Sequence, residues 1–472
     1  MKKIVARIFC FIVSSLFVLL MTVTACSEGG DDNEPTLNAP ALVSTDPEDG
    51  ATDIVAGDIT IVLTYDQNVT SPSSGHSLVT LGDATVSGVS ASLTKVKIKA
   101  TGLEEGMDYE LIVPAGVVLG PTKIEAPEIT IHFSTVAVIN VNITTSLAMK
   151  NPLRQAQNVY DFLIENYGKN ILSSTMANVA WNINEAEWVK LQTGKYPVIA
   201  TFDYIQLPYS PANWIDYSDI TLLEDWWNNN GLISAGWHWL VPTDEGTTEY
   251  TYKPSETTFS AVNATVEGTW ENEEVNADLG KIAGLLKLLQ DQNIPVIWRP
   301  LHEAAGNIYE YSGGEAWFWW GADGADAYKK LWIYMFDYFE SKGLNNLIWV
   351  WTTQTNDQNF YPGDDYVDII GRDIYDNSDE SDIADEFKII QKTYFTKIVT
   401  LSECGNISTI TEQWSAGAKW SYFMPWYDYD RTNDTSSSVF ENTEHDYADA
   451  NWWIDAFSMS EVITRDGMPD LR

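Results

Sequence analysis

VIWRPLHE, residues 296–303, is an apolar run that ends in a histidine and a glutamate. A second run, KIVTLSE at residues 397–403, also ends in a glutamate. A carboxylate that closes a buried strand costs desolvation free energy unless it is paired or functional. Catalytic residues of parallel α/β folds lie at the carboxyl ends of the strands. The two runs therefore predict strands whose carboxyl ends form a candidate site.

Strands alternate with amphipathic helices from Asn151 onward, the pattern of a parallel α/β fold. Helical spacing is clearest at Leu279, Ile282 and Leu286. Eight apolar strand candidates occur, at residues 171–179, 197–204, 232–239, 294–300, 347–352, 366–375, 397–403 and 418–426. Eight strands in about 320 residues predict a (β/α)8 TIM barrel over residues 150–472. An open doubly wound sheet is the alternative, but no glycine-rich phosphate loop follows any of these strands.

Residues 37–137 differ in composition and predict a separate all-β domain. All 20 tryptophans lie at or after Trp181, and β-rich runs such as ITIVLTY, residues 59–65, alternate with turn clusters. About a hundred residues of this kind predict an immunoglobulin-like β-sandwich ahead of the barrel. The opening PEDGATD, residues 47–53, resembles bacterial immunoglobulin-like modules that precede exported enzymes. Because this segment lacks a tryptophan for an aromatic platform, a spacer is favoured over a sugar-binding module.

The N-terminus predicts export and lipid attachment. Lys2 and Lys3 precede an apolar run at residues 8–23, so residues 1–25 are predicted to be a secretory signal. The small residues before Cys26 resemble a bacterial lipobox, in which Cys26 carries the lipid; an ordinary signal peptide with an incidental cysteine is the alternative. The acidic tether 26–36 is similar to the surface-export signal of Bacteroidetes lipoproteins. We therefore expect anchoring in the outer membrane at the cell surface, with the periplasmic face as the alternative.

The charge balance restricts the partners. The formal net charge of −40 repels nucleic acid and anionic membrane, so a neutral ligand is expected and the lipid is the predicted membrane contact. The acidic runs at residues 363–365 and 376–385 lack the ligand spacing of a calcium loop, so no metal or cofactor is predicted. After cleavage and acylation, Cys404 is the remaining thiol. The protein is expected to be a monomer.

Glu303 and Glu403 end predicted strands four and seven, which open onto one barrel mouth. Hydrolysis of a glycosidic bond needs such a pair, because one acid protonates the leaving oxygen and one carboxylate meets the anomeric carbon. A retaining site separates the two groups by about 5–5.5 Å. The histidine and tryptophans around Glu303 are surroundings that raise the pKa of an acid, and Tyr375 is a candidate hydrogen-bond partner of Glu403.

Three motifs together resemble glycoside hydrolase family 26: WRPLHE at 298–303, WFWWG at 317–321 and LSE at 401–403. The resemblance covers roughly residues 151–472. It implies an endo-acting, retaining β-1,4-mannanase that cleaves a neutral β-linked polysaccharide (mannan, glucomannan or galactomannan), with Glu303 as acid/base and Glu403 as nucleophile. The positions it implies for sugar binding are His238, His302, Trp317, Asp373, Tyr375 and Trp426.

Alternatives remain open at this point. Many family members run almost directly from the acid/base glutamate to the tryptophan cluster, whereas this chain inserts residues within 307–316, so exo action is also compatible. The same fold could act on xylan or mixed-linkage β-glucan, or be an inactive surface glycan-binding lipoprotein. Four tryptophans are predicted to offer flat faces to sugars: Trp317, Trp319, Trp320 and Trp426. Four others are predicted to lie in the core: Trp298, Trp332, Trp349 and Trp351.

Overall fold

The computed structural model describes residues 38–136, 141–177 and 181–472. The predicted signal segment 1–25, Cys26 and the tether 26–36 lie outside these described residues. The chain divides into two compact units, Met1–Val138 and Ile139–Arg472. Within the described ranges, no helix combines the length and the apolar character that crossing a membrane requires.

The N-terminal unit consists of two four-stranded sheets. Its strands, β1 to β8 in chain order, are Leu42–Asp46, Ala51–Ile54, Gly57–Tyr65, Thr80–Leu81, Thr85–Ser92, Lys95–Leu103, Asp108–Val113 and Ile129–Thr135. The strand orders are β1-β3-β6-β5 and β2-β8-β7-β4. Along β6, Val96, Ile98 and Ala100 are buried and their neighbours are not, because successive side chains of a strand point to opposite faces. The two sheets share one apolar core, which confirms the predicted sandwich.

The C-terminal unit is a closed parallel barrel. Its strands, β9 to β19 in chain order, are Ile171–Met176, Ile199–Asp203, Leu232–Trp237, Val241–Pro242, Tyr250–Thr251, Val296–Pro300, Leu347–Thr353, Ile369–Tyr375, Ile398–Gly405, Tyr422–Pro425 and Val462–Ile463. Eight of these described strands form the ring in the order β9-β10-β11-β14-β15-β16-β17-β18, and β18 pairs back onto β9. Each ring strand overlaps one predicted strand, so the predicted TIM barrel is confirmed. The short strands β12 and β13 pair only with each other, and β19 pairs with β9 outside the ring.

Helices cover the outside of the barrel. In chain order α1 to α9 they are Arg154–Asn166, Asn184–Thr193, Thr221–Asn228, Trp270–Asp291, Trp319–Ala322, Ala325–Ser341, Glu380–Thr393, Ile410–Ala416 and Ala450–Ser458. Helix α4 buries Leu279, Ile282 and Leu286 on one face, as the spacing predicts. It begins at Thr269, whose side chain accepts a hydrogen bond from the backbone of Asn272.

The barrel core is strongly aromatic. The four tryptophans predicted for the core, Trp298, Trp332, Trp349 and Trp351, are all fully buried, which confirms that prediction. Between β16 and β17 the pairing shifts by one residue after Arg372, so that Asp373 lies opposite Glu403. Such a bulge re-aims side chains at a barrel rim, and here it brings two carboxylates side by side.

Candidate active site

The carboxyl ends of the barrel strands bring the predicted site residues to one mouth. Each of these residues ends a ring strand or follows one closely: His238 after β11, His302 and Glu303 after β14, Asp373 and Tyr375 on β16, Glu403 on β17, and Trp426 after β18. The ring centroid of His238 lies 4.4 Å from that of His302 and 5.8 Å from that of Trp426. Residues far apart in the chain therefore cluster at one end of the barrel.

Glu403 is held by two donors. Its side chain is buried, and one carboxylate oxygen accepts a hydrogen bond from the guanidinium of Arg299. The other oxygen accepts from the Tyr375 hydroxyl at 2.9 Å. Arg299 also donates to Asp373 at 3.1 Å, and the Ser402 hydroxyl donates to Asp373 at 2.6 Å. Donors on both oxygens fix the orientation of Glu403 and favour its carboxylate form.

Glu303 lies in a different environment. Leu301 and Glu303 both have left-handed backbone conformations, with φ of 48° and 49°, so the chain turns sharply as it leaves β14. The carboxyl group is partly buried, and this burial, together with the nearby charge of Asp373, raises the pKa of Glu303 to about 8; Arg299 and Arg372 oppose the shift. At neutral pH Glu303 therefore carries a proton. The hydrogen bond from Arg299 favours the ionised form of Glu403 instead.

Two histidines lie between the carboxylates and the aromatic wall. Burial, then the charges of Arg299 and His238, hold the pKa of His302 well below its usual value, so this ring is neutral. Its Nε2 lies 3.9 Å from the nearer oxygen of Glu403. The Nδ1 of His238 is hydrogen-bonded to Asp203, whose carboxylate also accepts from the backbone N–H of His238. This clamp sets the ring orientation and directs the other nitrogen, Nε2, toward a ligand.

The four tryptophans predicted to face sugars differ in their exposure at the barrel mouth. Trp426 is 9% exposed and borders the pocket beside His238. Trp319 and Trp320 are buried, and each donates its indole N–H to a backbone carbonyl, so the prediction that they face sugars was wrong. Phe318 packs against the ring of His302 at 5.1 Å, whereas its neighbour Trp317 is 40% exposed. The role of Trp317 against the cleaved sugar stays a prediction.

Three residues of the site were not singled out from the sequence: Arg299, Asp203 and Phe318. A usable signal existed for Arg299, because a guanidinium inside an apolar strand must be paired with an acid. Asp203 ends β10 just as Glu403 lies near the end of β17, and the same strand-end argument applies to it. Among the described residues, no group of three or more His, Cys, Asp and Glu side chains could hold a metal ion.

Cys404 follows the buried glutamate directly. Its thiol is buried and unpaired, and burial raises its pKa well above the usual value. A protonated thiol is a poor nucleophile, so Cys404 packs rather than reacts.

A family model establishes where the chain belongs. The model described as glycosyl hydrolase family 26 matches residues 148–455, which cover the whole ring of strands. The chain belongs to glycosyl hydrolase family 26. A second model, described as a bacterial Ig-like domain, matches residues 37–135. The resemblance seen in the sequence motifs is thereby confirmed at the level of the family and of the N-terminal domain.

Two curated relatives of this chain are mannan endo-1,4-beta-mannosidases. The chain is 33% identical to mannan endo-1,4-beta-mannosidase B of Piromyces sp, over 70% of this chain and 55% of that protein. It is 32% identical to the mannan endo-1,4-beta-mannosidase of Thermothelomyces thermophilus, over 67% of this chain and 66% of that protein. The chain thus spans little more than half the length of the Piromyces relative.

Solved structures agree on the fold. The GH26 domain of an endo-beta-mannanase/endo-beta-glucanase from Prevotella bryantii matches with a TM-score of 0.63 and 39% identity, over 69% of this chain and 99% of that one. A beta-mannanase from a symbiotic protist of the termite Reticulitermes speratus, solved with gluco-manno-oligosaccharide, matches with a TM-score of 0.57 and 35% identity, over 70% and 99% of the two chains.

Proposed function

We propose that this family 26 protein is an endo-acting, retaining β-1,4-mannanase that cleaves mannan, glucomannan or galactomannan. The observation that carries the proposal is the contrast between the two glutamates. Glu403 receives hydrogen bonds from Arg299 and Tyr375, whereas the pKa of Glu303 is raised to about 8. One mouth therefore holds a carboxylate and a carboxylic acid at the same pH, which is the pairing that double displacement requires.

The two steps use these groups in turn. Glu403 attacks the anomeric carbon while Glu303 gives its proton to the glycosidic oxygen, so that the bond to the leaving sugar breaks and a glycosyl ester forms. Glu303, now ionised, then takes a proton from water, whose oxygen attacks the same carbon and releases Glu403. Buried Arg299 pairs with both Asp373 and Glu403. Its single positive charge is smaller than the two negative charges of these carboxylates. The site therefore keeps a net negative charge where positive charge develops on the sugar.

Three of the remaining predicted residues bind the sugar on the non-reducing side of the cut. His238, clamped by Asp203, and neutral His302 present ring nitrogens to sugar hydroxyls, and Trp426 supplies an apolar face beside them. Tyr375 and Asp373 hold Glu403 through direct and arginine-mediated hydrogen bonds. Mannan as the substrate is supported by the names of the Piromyces and Thermothelomyces relatives, both of which are mannan endo-1,4-beta-mannosidases.

The segments before the barrel export the protein and anchor it at the membrane. Residues 1–25 direct export, Cys26 carries the lipid, residues 26–36 form the tether, and residues 37–137 act as a spacer in front of the catalytic domain 150–472. The enzyme acts as a monomer at the cell surface, in contact with the membrane through its lipid. This arrangement is supported by the order of basic, apolar and small residues before Cys26 and by the absence of tryptophan ahead of Trp181.

A substrate panel tests the activity. Wild-type protein is incubated with galactomannan, glucomannan, xylan and lichenan, and new reducing ends and product lengths are measured. We expect rapid loss of viscosity and a ladder of oligosaccharides from the two mannans, with far slower release from the others. Preferred cleavage of xylan or lichenan would contradict the mannanase assignment. Binding to any of them without cleavage would favour a glycan-binding protein.

The Glu403→Ala variant tests the mechanism. Loss of the nucleophile should lower kcat by about 10³-fold or more, because the glycosyl ester cannot form. Azide should restore turnover of an activated aryl β-mannoside and give the α-mannosyl azide, since a small anion occupies the vacated space. Exposed Glu273 on α4 supplies the matched control, and Glu273→Ala should keep wild-type turnover. Rescue with a β product would contradict the assignment of Glu403.

A further inference from the structure

The loop between Glu303 and Phe318, here termed the mouth loop (residues 304–317), has a closed base. The backbone N–H of Asn307 donates to the carbonyl of Glu315 at 2.9 Å. Gly306 has a φ of 51°, and a Cβ there would lie 2.6 Å from the carbonyl oxygen of Glu315. At Gly314 a Cβ would lie 1.7 Å from the carbonyl oxygen of Asn307. Only glycine allows the two arms to approach this closely, so the loop has a defined shape.

The closed base presents aromatic side chains to solvent. Tyr309 is 37% exposed, Tyr311 is 59% exposed, and Trp317 at the end of the loop is 40% exposed. The hydroxyl of Tyr309 accepts a hydrogen bond from Asn359 at 2.6 Å, and its ring lies 6.3 Å from Phe360. Both partners belong to the segment that follows β15, so Tyr309 is anchored to the neighbouring loop. Exposed flat rings held in a defined position are surfaces on which the C–H faces of sugars pack.

The position of the mouth loop determines which sugars it can reach. In the ring of eight strands, β14 and β18 are diametrically opposed, so the loop after β14 faces Trp426 across the mouth. The loop also begins at Glu303, whose carbonyl accepts a hydrogen bond from the N–H of Gly306 at 3.0 Å. Under the proposed function, Glu303 protonates the oxygen of the departing sugar. Tyr309 is anchored to the segment after β15, which flanks β14 on the side opposite β11 and His238. We therefore place Tyr309 and Tyr311 on the leaving-group side, whereas His238 and Trp426 lie on the other side of Glu303.

We infer that Tyr309 and Tyr311 form a binding subsite for a leaving-group sugar beyond the one next to the cleaved bond. The inference rests on the proposed function and extends it to a specificity site built by this loop. Glu310 and Glu315 are exposed on the same loop, so the subsite accepts neutral sugars and repels chains that carry uronic acids. A chain that occupies the subsite must continue past the cut, which favours internal cleavage over removal of terminal units.

The test compares Tyr311→Ala and the double variant Tyr309→Ala/Tyr311→Ala with wild type. Mannohexaose labelled with ¹⁸O at its reducing end is cleaved, and mass spectrometry assigns which bond breaks. An aryl mannobioside, whose leaving group carries no sugar, supplies the reference rate. We expect kcat/KM on mannohexaose relative to the aryl substrate to fall about 3- to 10-fold, the size of an aromatic contact of about 1 kcal/mol. Cleavage should shift toward the reducing end, because fewer sugars are held on the leaving side.

Two controls separate binding from folding. Phe395 is 50% exposed but precedes β17 at the opposite end of the barrel, so Phe395→Ala should leave both the rate ratio and the cleaved bond unchanged. Tyr309→Phe removes the hydroxyl bonded to Asn359 and keeps the ring, so its loss of kcat/KM on mannohexaose should be smaller than that of the double variant. An unchanged ratio and pattern in the double variant, with wild type active on mannans, overturns the subsite alone. A wild type that cleaves no mannan overturns the proposed function and the subsite with it.

Discussion

At the scale of single residues, two glutamates of the same type acquire different chemistry from their neighbours. Glu403 has its oxygens occupied by the guanidinium of Arg299 and the hydroxyl of Tyr375. Glu303 is partly buried near the charge of Asp373, which makes ionisation costly. Hydrogen bonds to the charged form and desolvation act on a carboxyl group in opposite directions. Under the proposed function, the roles of Glu303 as acid and Glu403 as nucleophile follow from the surroundings of each side chain.

The pH dependence of activity tests the state of Glu303. Because the acid must be protonated to assist departure, kcat/KM on mannans should fall as pH rises through about 8, the raised pKa of Glu303. The same group binds its proton more tightly in the folded chain than in the unfolded one, so its contribution to stability is also lost as pH rises toward 8. A pH–rate profile on glucomannan measures this alkaline limb, the decrease in kcat/KM as pH rises. An aryl mannoside with a highly acidic leaving group should not show it.

The Glu303→Gln variant is the matched control for that profile. Glutamine does not titrate, so the residual activity of this variant on glucomannan should lack the alkaline decrease between about pH 6 and 9. A wild-type alkaline limb near the ordinary glutamate pKa, or the persistence of the limb in the variant, would contradict the assignment.

At the scale of structural elements, a buried ionic cluster ties the segment after β18 to helix α2. Glu185 on α2 accepts hydrogen bonds from Arg431 at 2.5 Å and from His445 at 2.9 Å. The guanidinium of Arg431 also lies 4.1 Å from the ring centroid of Trp188. The same segment carries Tyr429, whose hydroxyl accepts the indole N–H of Trp426 at 3.0 Å. The cluster thus holds the segment that supports one wall of the site.

Replacing Arg431 tests this support. Arg431→Met would leave the carboxylate of Glu185 buried without its countercharge, which costs about 3–5 kcal/mol of the free energy of unfolding. We also expect a higher KM for mannohexaose, because Trp426 loses its partner in a loosened segment. Urea denaturation and steady-state kinetics measure the two effects.

An exposed ion pair provides the comparison. Lys388 pairs with Asp385 on α7 at 2.8 Å, and Lys388→Met should change the free energy of unfolding by less than about 1 kcal/mol. If Arg431→Met and Lys388→Met lower the free energy of unfolding by equal and small amounts, the Glu185 cluster does not hold the segment.

At the scale of the whole molecule, the chain consists of two compact units with separate apolar cores. The barrel unit contains every residue of the candidate site among the described ranges, and the N-terminal sandwich has its own apolar core. Under the proposed function, the barrel can lie away from a membrane without any change to its site. The proposal that Cys26 carries a lipid concerns this arrangement and is independent of the catalytic groups.

The Cys26→Ser variant tests the anchor. Without the thiol no lipid can be attached, so the protein should move from the membrane fraction to the soluble fraction of the cells. Its kcat/KM on soluble manno-oligosaccharides should equal that of wild type, because the site lies in the barrel. Protease treatment of intact cells that express wild type should remove the protein if it is displayed on the surface. Retention of the variant in membranes would contradict the lipid anchor.

Local patterns determined much of this protein. Alternating strands and amphipathic helices predicted the eight-stranded barrel, because hydrophobic periodicity is set by which faces of each element are buried. Strand-end glutamates and three short motifs predicted the family, which residues 148–455 match. The placement of Glu303 and Glu403 after β14 and on β17 follows from the same argument, since parallel strands of a barrel end at one mouth.

The orientation of individual side chains depends on contacts that form only in the folded chain. Trp319 and Trp320 were predicted to face sugars, yet each donates its indole N–H to the carbonyl of a residue distant in sequence. Phe318 rather than Trp317 packs against His302, and Arg299 joins Glu403 to Asp373 across three strands. Such partners lie on different elements of the fold, and no local spacing encodes them. Periodicity specifies elements, whereas contacts between elements specify the orientation and charge of each group in the site.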